Sequence, residues 1–143
     1  MRDIIYFGLF FDDKTRNRLL TVVKRHWPSL LNSASKIYVD HCTLLHKSKY
    51  EGFPELYSFL KKNIGRTVTV SLIAVGISRK AMAFQVQFTA GEEFLCANWI
   101  PHITVFTFGD GKPVDSNYIE SWVEIDPIDI TTTIQARYGN KNH

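Results

Sequence analysis

Two cysteines in 143 residues are too few for a disulfide scaffold. Cys42 and Cys96 could bridge only if the fold brought them together. The chain therefore reads as one with free thiols in a reducing compartment, cytoplasmic or nuclear. No apolar run approaches the length needed to cross a bilayer, so no membrane association is expected. The opening MRDIIYFGLFFDD is apolar, but Asp3 interrupts it and no small-residue cleavage site follows, so it reads as a strand and not as a leader. Excess charge is also scarce: the net charge is +3 and the basic residues are scattered. That balance suits an anionic ligand and falls short of a duplex-DNA binder. No G-x-x-x-x-G-K-[ST] is present, so no P-loop is expected within these residues. No Pro/Gly/Ser stretch marks a linker. Residues 1–143 read as a single domain, with GNKNH at 139–143 as a frayed tail.

What is present is an ordinary globular composition, 45% hydrophobic and 22% charged, rich in aromatics. DIIYFGLFF (3–11) is apolar on both faces, as a central strand would be. Asp12 or Asp13 then offers a helix cap, and Leu19, Val22, Val23, His26 and Trp27 recur at helical spacing before Pro28. Residues 28–35 read as a loop and 36–47 as a strand. A helix follows at 52–65, with Pro54 at its start, a stripe of Phe53, Leu56, Tyr57, Leu60 and Ile64, and Gly65 as its stop. Residues 66–78 and 79–91 read as an antiparallel hairpin, in which buried Phe84, Val86 and Phe88 alternate with Gln85 and Gln87. A loop at 91–98 leads to a strand at 99–109. DSNYIESWVE (115–124) reads as a short helix with Tyr118, Ile119 and Trp122 inward, and 128–138 as the last strand. This mixed order, with hairpins, predicts an α+β fold of largely antiparallel sheet.

Chemistry concentrates in two triplets. His41-Cys42-Thr43 lies in one predicted strand and His102-Ile103-Thr104 in another. Residues i and i+2 of a strand share a face, so each histidine points the same way as its threonine. By the same rule Cys42, Leu44 and His46 face away from His41. The composition would supply about 0.4 His-x-Thr triplets by chance, so the motif alone is weak. Its context is stronger, because both triplets sit in apolar strands where polar pairs need partners or a wet cleft. Two imidazoles that titrate near neutrality can divide the base and acid roles of phosphodiester hydrolysis. The two hydroxyls can donate to non-bridging phosphate oxygens as charge builds there. Such a reaction needs no metal and no cofactor. Zinc binding by His41, Cys42 and His46 conflicts with their expected alternation. Lys47, which follows the first motif, could meet a phosphate. Trp99, Tyr6 and Phe10 could stack on a base, and Gln85 could line the cleft.

Taken together, DHCTLLHKS at 40–48, WIPHITVFT at 99–107, the Ser-Asn pair at 116–117 and the closing IDPIDITTTIQARY make the chain resemble the two-histidine (2H) phosphoesterase superfamily. Within it, the chain resembles most the cyclic phosphodiesterase domain of plant- and fungal-type tRNA ligases, over most of its length. The resemblance implies a two-lobed fold of mostly antiparallel sheets with flanking helices and a central cleft carrying both motifs. It implies hydrolysis of a 2′,3′-cyclic phosphate, on an RNA end or a nucleotide, to the 2′-phosphate. His41, Thr43, His102 and Thr104 match the family motif position by position. The ligase and kinase modules of such enzymes are not in this sequence. The expectation is a monomeric phosphodiesterase, free-standing or excised, with ligation left to separate kinase and ligase components.

Other substrates fit the same signature: 2′,5′-linked oligoadenylate, ADP-ribose cyclic phosphate or an RNA 3′ tail. A nucleotide-binding module without turnover is a different class of reading. Retention of both histidines and both threonines argues against it.

Overall fold

The computed structural model describes residues 2–140. Seven strands carry the fold: β1 Arg2–Phe10, β2 Lys36–Ile37, β3 His41–His46, β4 Thr67–Ile77, β5 Ala81–Phe88, β6 His102–Thr107 and β7 Trp122–Asn140. Three α-helices lie between them: α1 Asp13–His26, α2 Pro28–Asn32 and α3 Pro54–Lys62. The strands run in the order β2-β6-β3-β1-β7-β4-β5, and β5 pairs back onto β6. All of these pairings are antiparallel. In place of two separate lobes there is one sheet closed into a barrel, which leaves few strand edges unpaired. Its narrowest seam is β3–β6, joined through the single pair Cys42↔Ile103.

β1 is central, between β3 and β7, as its two apolar faces required. Phe7, Leu9, Cys42, Leu44 and Ile103 enter the main core. α1 begins where Asp12 Oδ1 accepts a hydrogen bond from the Thr15 N–H at 2.8 Å. It covers the core with Leu19 and Val23, and α3 does so with Leu56 and Leu60. Each such side chain contributes on the order of 1.5–3 kcal/mol by leaving water.

Several expectations change. Residues 28–35 are not all loop, because Pro28 starts the short α2. The strand expected over 36–47 breaks in two. Val39 adopts φ 51, a left-handed conformation strained for a β-branched residue, and the chain bends between β2 and β3. Val39 is nonetheless fully buried, and its N–H is tied to the Thr104 carbonyl at 3.0 Å. Residues 115–124 do not form an α-helix. A 3₁₀ turn spans Pro113–Tyr118 and β7 begins at Trp122. Tyr118, expected inward, is exposed, while Ile119 is buried. Trp122 lies across Gly76 of β4, where any Cβ would stand 2.6 Å from the indole. His26 is exposed at the end of α1. Phe53 and Ile64 are also exposed, since they lie beyond the two ends of α3. The final strand is longer than expected at both ends. Gly139 and Asn140 pair with Asp3 and Arg2 and are not frayed. Residues 141–143 of the expected tail lie outside the described residues.

Candidate active site

The β3–β6 seam determines the geometry. With Cys42 opposite Ile103, continuing the antiparallel register places His41 against Thr104 and Thr43 against His102. Cys42 and Ile103 point into the core, so the four polar side chains share the other face. All four line one cavity of about 520 Å³. The alternation rule thus holds for both triplets.

The rule fails three residues later. Along β1, Gly8 faces Thr43 but Phe7 faces Leu45, so Leu44 is an extra residue, a β-bulge. Leu44 and Leu45 are both buried, and the parity of everything after them reverses. His46 therefore stands on the face of His41, not opposite it, and lines the same cavity. Its Nδ1 accepts the Ser48 N–H at 3.1 Å, which caps the 3₁₀ turn Lys47–Gly52. Burial and the charges of Lys47 and Lys49 lower its pKa. Despite this shared face, no three His, Cys, Asp or Glu side chains converge as a metal cage among the described residues.

The two histidines are held differently. The Nδ1 of His102 lies 2.9 Å from the Ile100 carbonyl oxygen. A carbonyl can only accept, so Nδ1 carries the proton and Nε2 of the neutral ring keeps its lone pair. Burial lowers the pKa of His102, the Ile100 hydrogen bond opposes that, and proximity to His41 lowers it further. His41 instead has its Nδ1 2.6 Å from Asp40 Oδ1 and its Nε2 3.2 Å from Thr43 Oγ1. The hydrogen bond from His41 lowers the pKa of Asp40, although partial burial works the other way. The Asp40 carboxylate is therefore a fixed negative charge behind the His41 ring.

β1 supplies the seat for His41. Tyr6 and Phe10 lie on the cavity face, each with its ring centroid 5.1 Å from that of the imidazole. Gly8 lies between them. A Cβ there would stand 3.0 Å from Phe10 Cε1 and 3.1 Å from the Cys42 carbonyl oxygen. Glycine leaves room for the Phe10 ring and the Cys42 carbonyl, while His41 would meet such a Cβ at an ordinary 3.5 Å. The guanidinium of Arg137, from β7, covers Phe10 at 3.7 Å. On β6, Thr104 Oγ1 lies 2.9 Å from the hydroxyl of buried Ser116.

The other expected residues divide. Tyr6 lines the cavity, where burial raises the pKa of its phenol. Lys47 is not part of the lining, and Lys49, two residues on, takes its place. Gln85 pairs with His102 across β5–β6 but lines a separate groove on β4 and β5. Trp99 stands outside the cavity, 96% exposed. Sequence reasoning missed Asp40, Ser116 as the partner of Thr104, and Asn98. Asp40 precedes the strand, beyond the Val39 bend, so alternation could not place it. A signal for Ser116 lay in the Ser-Asn pair of the family resemblance. Cys42 and Cys96 are both free, with their sulfurs 3.9 and 3.4 Å from the Thr43 carbonyl oxygen.

No curated protein matches this chain significantly. Among solved structures it is similar to one described as a fungal RNA kinase, with a TM-score of 0.61 and 20% identity. The match covers 81% of this chain and 34% of that one, so the chain spans about a third of that protein's length. At this identity the likeness concerns the fold. The family model for the fungal tRNA ligase phosphodiesterase domain matches residues 23–137, which include the whole seam with both triplets. The chain therefore belongs to the fungal tRNA ligase phosphodiesterase domain family.

Proposed function

We propose that this chain is a metal-independent 2′,3′-cyclic phosphodiesterase, acting on RNA ends in tRNA end-healing and releasing a 2′-phosphate. The observation that carries this reading is the unequal support of two histidines in one cavity. His102 presents a neutral Nε2 and suits the general base. His41, with a carboxylate behind its Nδ1, suits the general acid, since that negative charge complements a ring that gives up a proton from Nε2.

The step then balances. Water gives a proton to His102 Nε2 as its oxygen bonds to phosphorus. The P–O3′ bond breaks, and O3′ takes the proton on His41 Nε2. The hydroxyls of Thr43 and Thr104 donate to the non-bridging oxygens, where charge accumulates. The product is a ribose 2′-phosphate with a free 3′-hydroxyl. Asp40 stays ionised throughout and orients the His41 ring.

The test is turnover of a cyclic-phosphate-ended oligonucleotide in EDTA, with 2′- and 3′-phosphate products resolved. The expected product is the 2′-phosphate, formed at an undiminished rate in the chelator. Activity that vanishes with EDTA and returns with zinc contradicts the reading. The acid limb of the pH profile has a defined sign. The pKa of His102 is lowered from 6.5, so the base stays deprotonated at pH values where an ordinary histidine is protonated. kcat/KM should therefore fall with acid at a midpoint below 6.5, and rise through that midpoint as the pH rises.

Gly8 offers a second check. Gly8→Ala places a methyl 3.0 Å from Phe10 and 3.1 Å from the Cys42 carbonyl, so the Phe10 ring that stacks on His41 must shift. Misplacement of a reacting group by about 1 Å can cost about 100-fold. The shift passed to His41 through Phe10 is smaller than that, so a fall in kcat of about 3- to 10-fold is expected, with a cooperative thermal transition retained. Unchanged kcat would mean that the seat does not position His41.

A further inference from the structure

Asn98 and Lys49 belong to the wall of the cavity that holds the histidines. The Asn98 Nδ2 donates to the Thr43 carbonyl at 3.3 Å, and its Oδ1 accepts from Lys49 Nζ at 3.0 Å. Behind this pair lies a second cavity of about 340 Å³. Lys49, Asn98 and Asn117 line both cavities, so the two adjoin. The second is walled by aromatic rings: Trp99, Tyr118 and Trp122. Trp99 is 96% exposed and Tyr118 73%, so neither is there to fill the core. A cluster of exposed rings bordering a polar cavity is the composition of a binding surface.

We infer that this second cavity receives the nucleotide on the 5′ side of the reacting end, so that the preferred substrate is the single-stranded 3′ terminus of an RNA and not a free cyclic nucleotide. The inference rests on the function proposed above. The first cavity has the volume of a small-molecule site and suits the terminal nucleotide. The next base finds the faces of Trp99 and Tyr118, which accept any base because every base has a π-face. Lys49 stands at the junction, where the connecting phosphodiester must pass. Its ammonium uses one contact on Asn98, and no carboxylate among the described residues lies within ion-pair distance of it. A cation between two base-sized cavities complements the phosphate that links two nucleotides. Stacking and one phosphate contact carry little sequence information, so the surface reads single-strandedness and not a particular base.

The test compares hexauridylate ending in a 2′,3′-cyclic phosphate with 2′,3′-cyclic UMP. The quantity is the ratio of their kcat/KM values in wild type, Trp99→Ala and Trp99→Phe. Base–aromatic stacking is worth about 1–3 kcal/mol, so the ratio should fall by about 5- to 150-fold in Trp99→Ala, carried by KM. Trp99→Phe should restore most of it, which a loss of general packing would not do. An unchanged ratio in Trp99→Ala overturns the inference. A second arm is independent of turnover. The affinity of hexauridylate bearing an open 2′-phosphate is measured by calorimetry on the His41→Ala/His102→Ala protein, with and without Trp99→Ala. If the wild-type enzyme turns over neither substrate, the proposed function fails, and this arm still decides. Weaker binding without the indole supports the surface, and equal binding overturns it.

Discussion

Replacement of His102 by alanine should lower kcat for the cyclic phosphate by about 100- to 10,000-fold, the contribution of a positioned general base. His41→Ala should cost a similar factor through the acid. Both rings are half-buried in the cavity, and neither belongs to the main apolar core, so the variants should fold. The double variant distinguishes a concerted pair from two separate aids. One proton enters His102 as another leaves His41 in the same displacement, so removing the second histidine should cost much less than removing the first. Single-turnover rates of the four proteins, with circular dichroism to confirm folding, would measure this. Fully multiplicative losses would mean that the rings act in different steps. If either single variant retained wild-type kcat, the assignment of that ring would be wrong.

The hydroxyls should show the next largest effect. Thr43→Ala and Thr104→Ala remove donors aimed at the non-bridging oxygens, and loss of one such donor costs about 100- to 1,000-fold in kcat. The interaction strengthens only as charge builds, so KM should change far less. Serine at either position keeps the hydroxyl and should recover most of the rate. Thr104→Ser is the sharper case, because the Ser116 hydroxyl at 2.9 Å still holds the side-chain oxygen in place. A rise in KM with kcat intact would make the threonines ground-state binders and remove them from the chemistry.

Much of this site was legible from spacing alone. A strand has a period of two, and that number places His41 with Thr43 and His102 with Thr104 without any tertiary information. Local exceptions hid the rest. A bulge at Leu44 reverses parity, so His46 changes sides, and no residue type in HCTLLH announces it. Val39 is an unpromising residue for positive φ, yet that conformation takes Asp40 out of the strand and up to the His41 ring. DSNYIESWVE fits a helical stripe. What decides against the helix is distant: Gly76 of β4 gives the Trp122 ring room to lie across it as the first residue of β7. Closure of the sheet was equally out of reach, because it needs the β1–β7 and β3–β6 pairings, whose partners lie far apart along the chain. Trp99 has a different lesson. Its place before β6 gave no sign of whether it would be buried, and exposure is what rules out a packing role for it.

The narrow seam has a consequence for how the site can exist at all. Each triplet brings one imidazole and one hydroxyl, and the triplets are separated along the chain by the α3 helix and the whole β4–β5 hairpin. A contiguous fragment that contains only one of β3 and β6 holds one imidazole and one hydroxyl and never the facing pair. The couple is made by circularity: β3 meets β6 because the ring of strands closes on itself, and Cys42 facing Ile103 is the clasp. The meeting of the two triplets is thus a property of the closed topology and not of either motif.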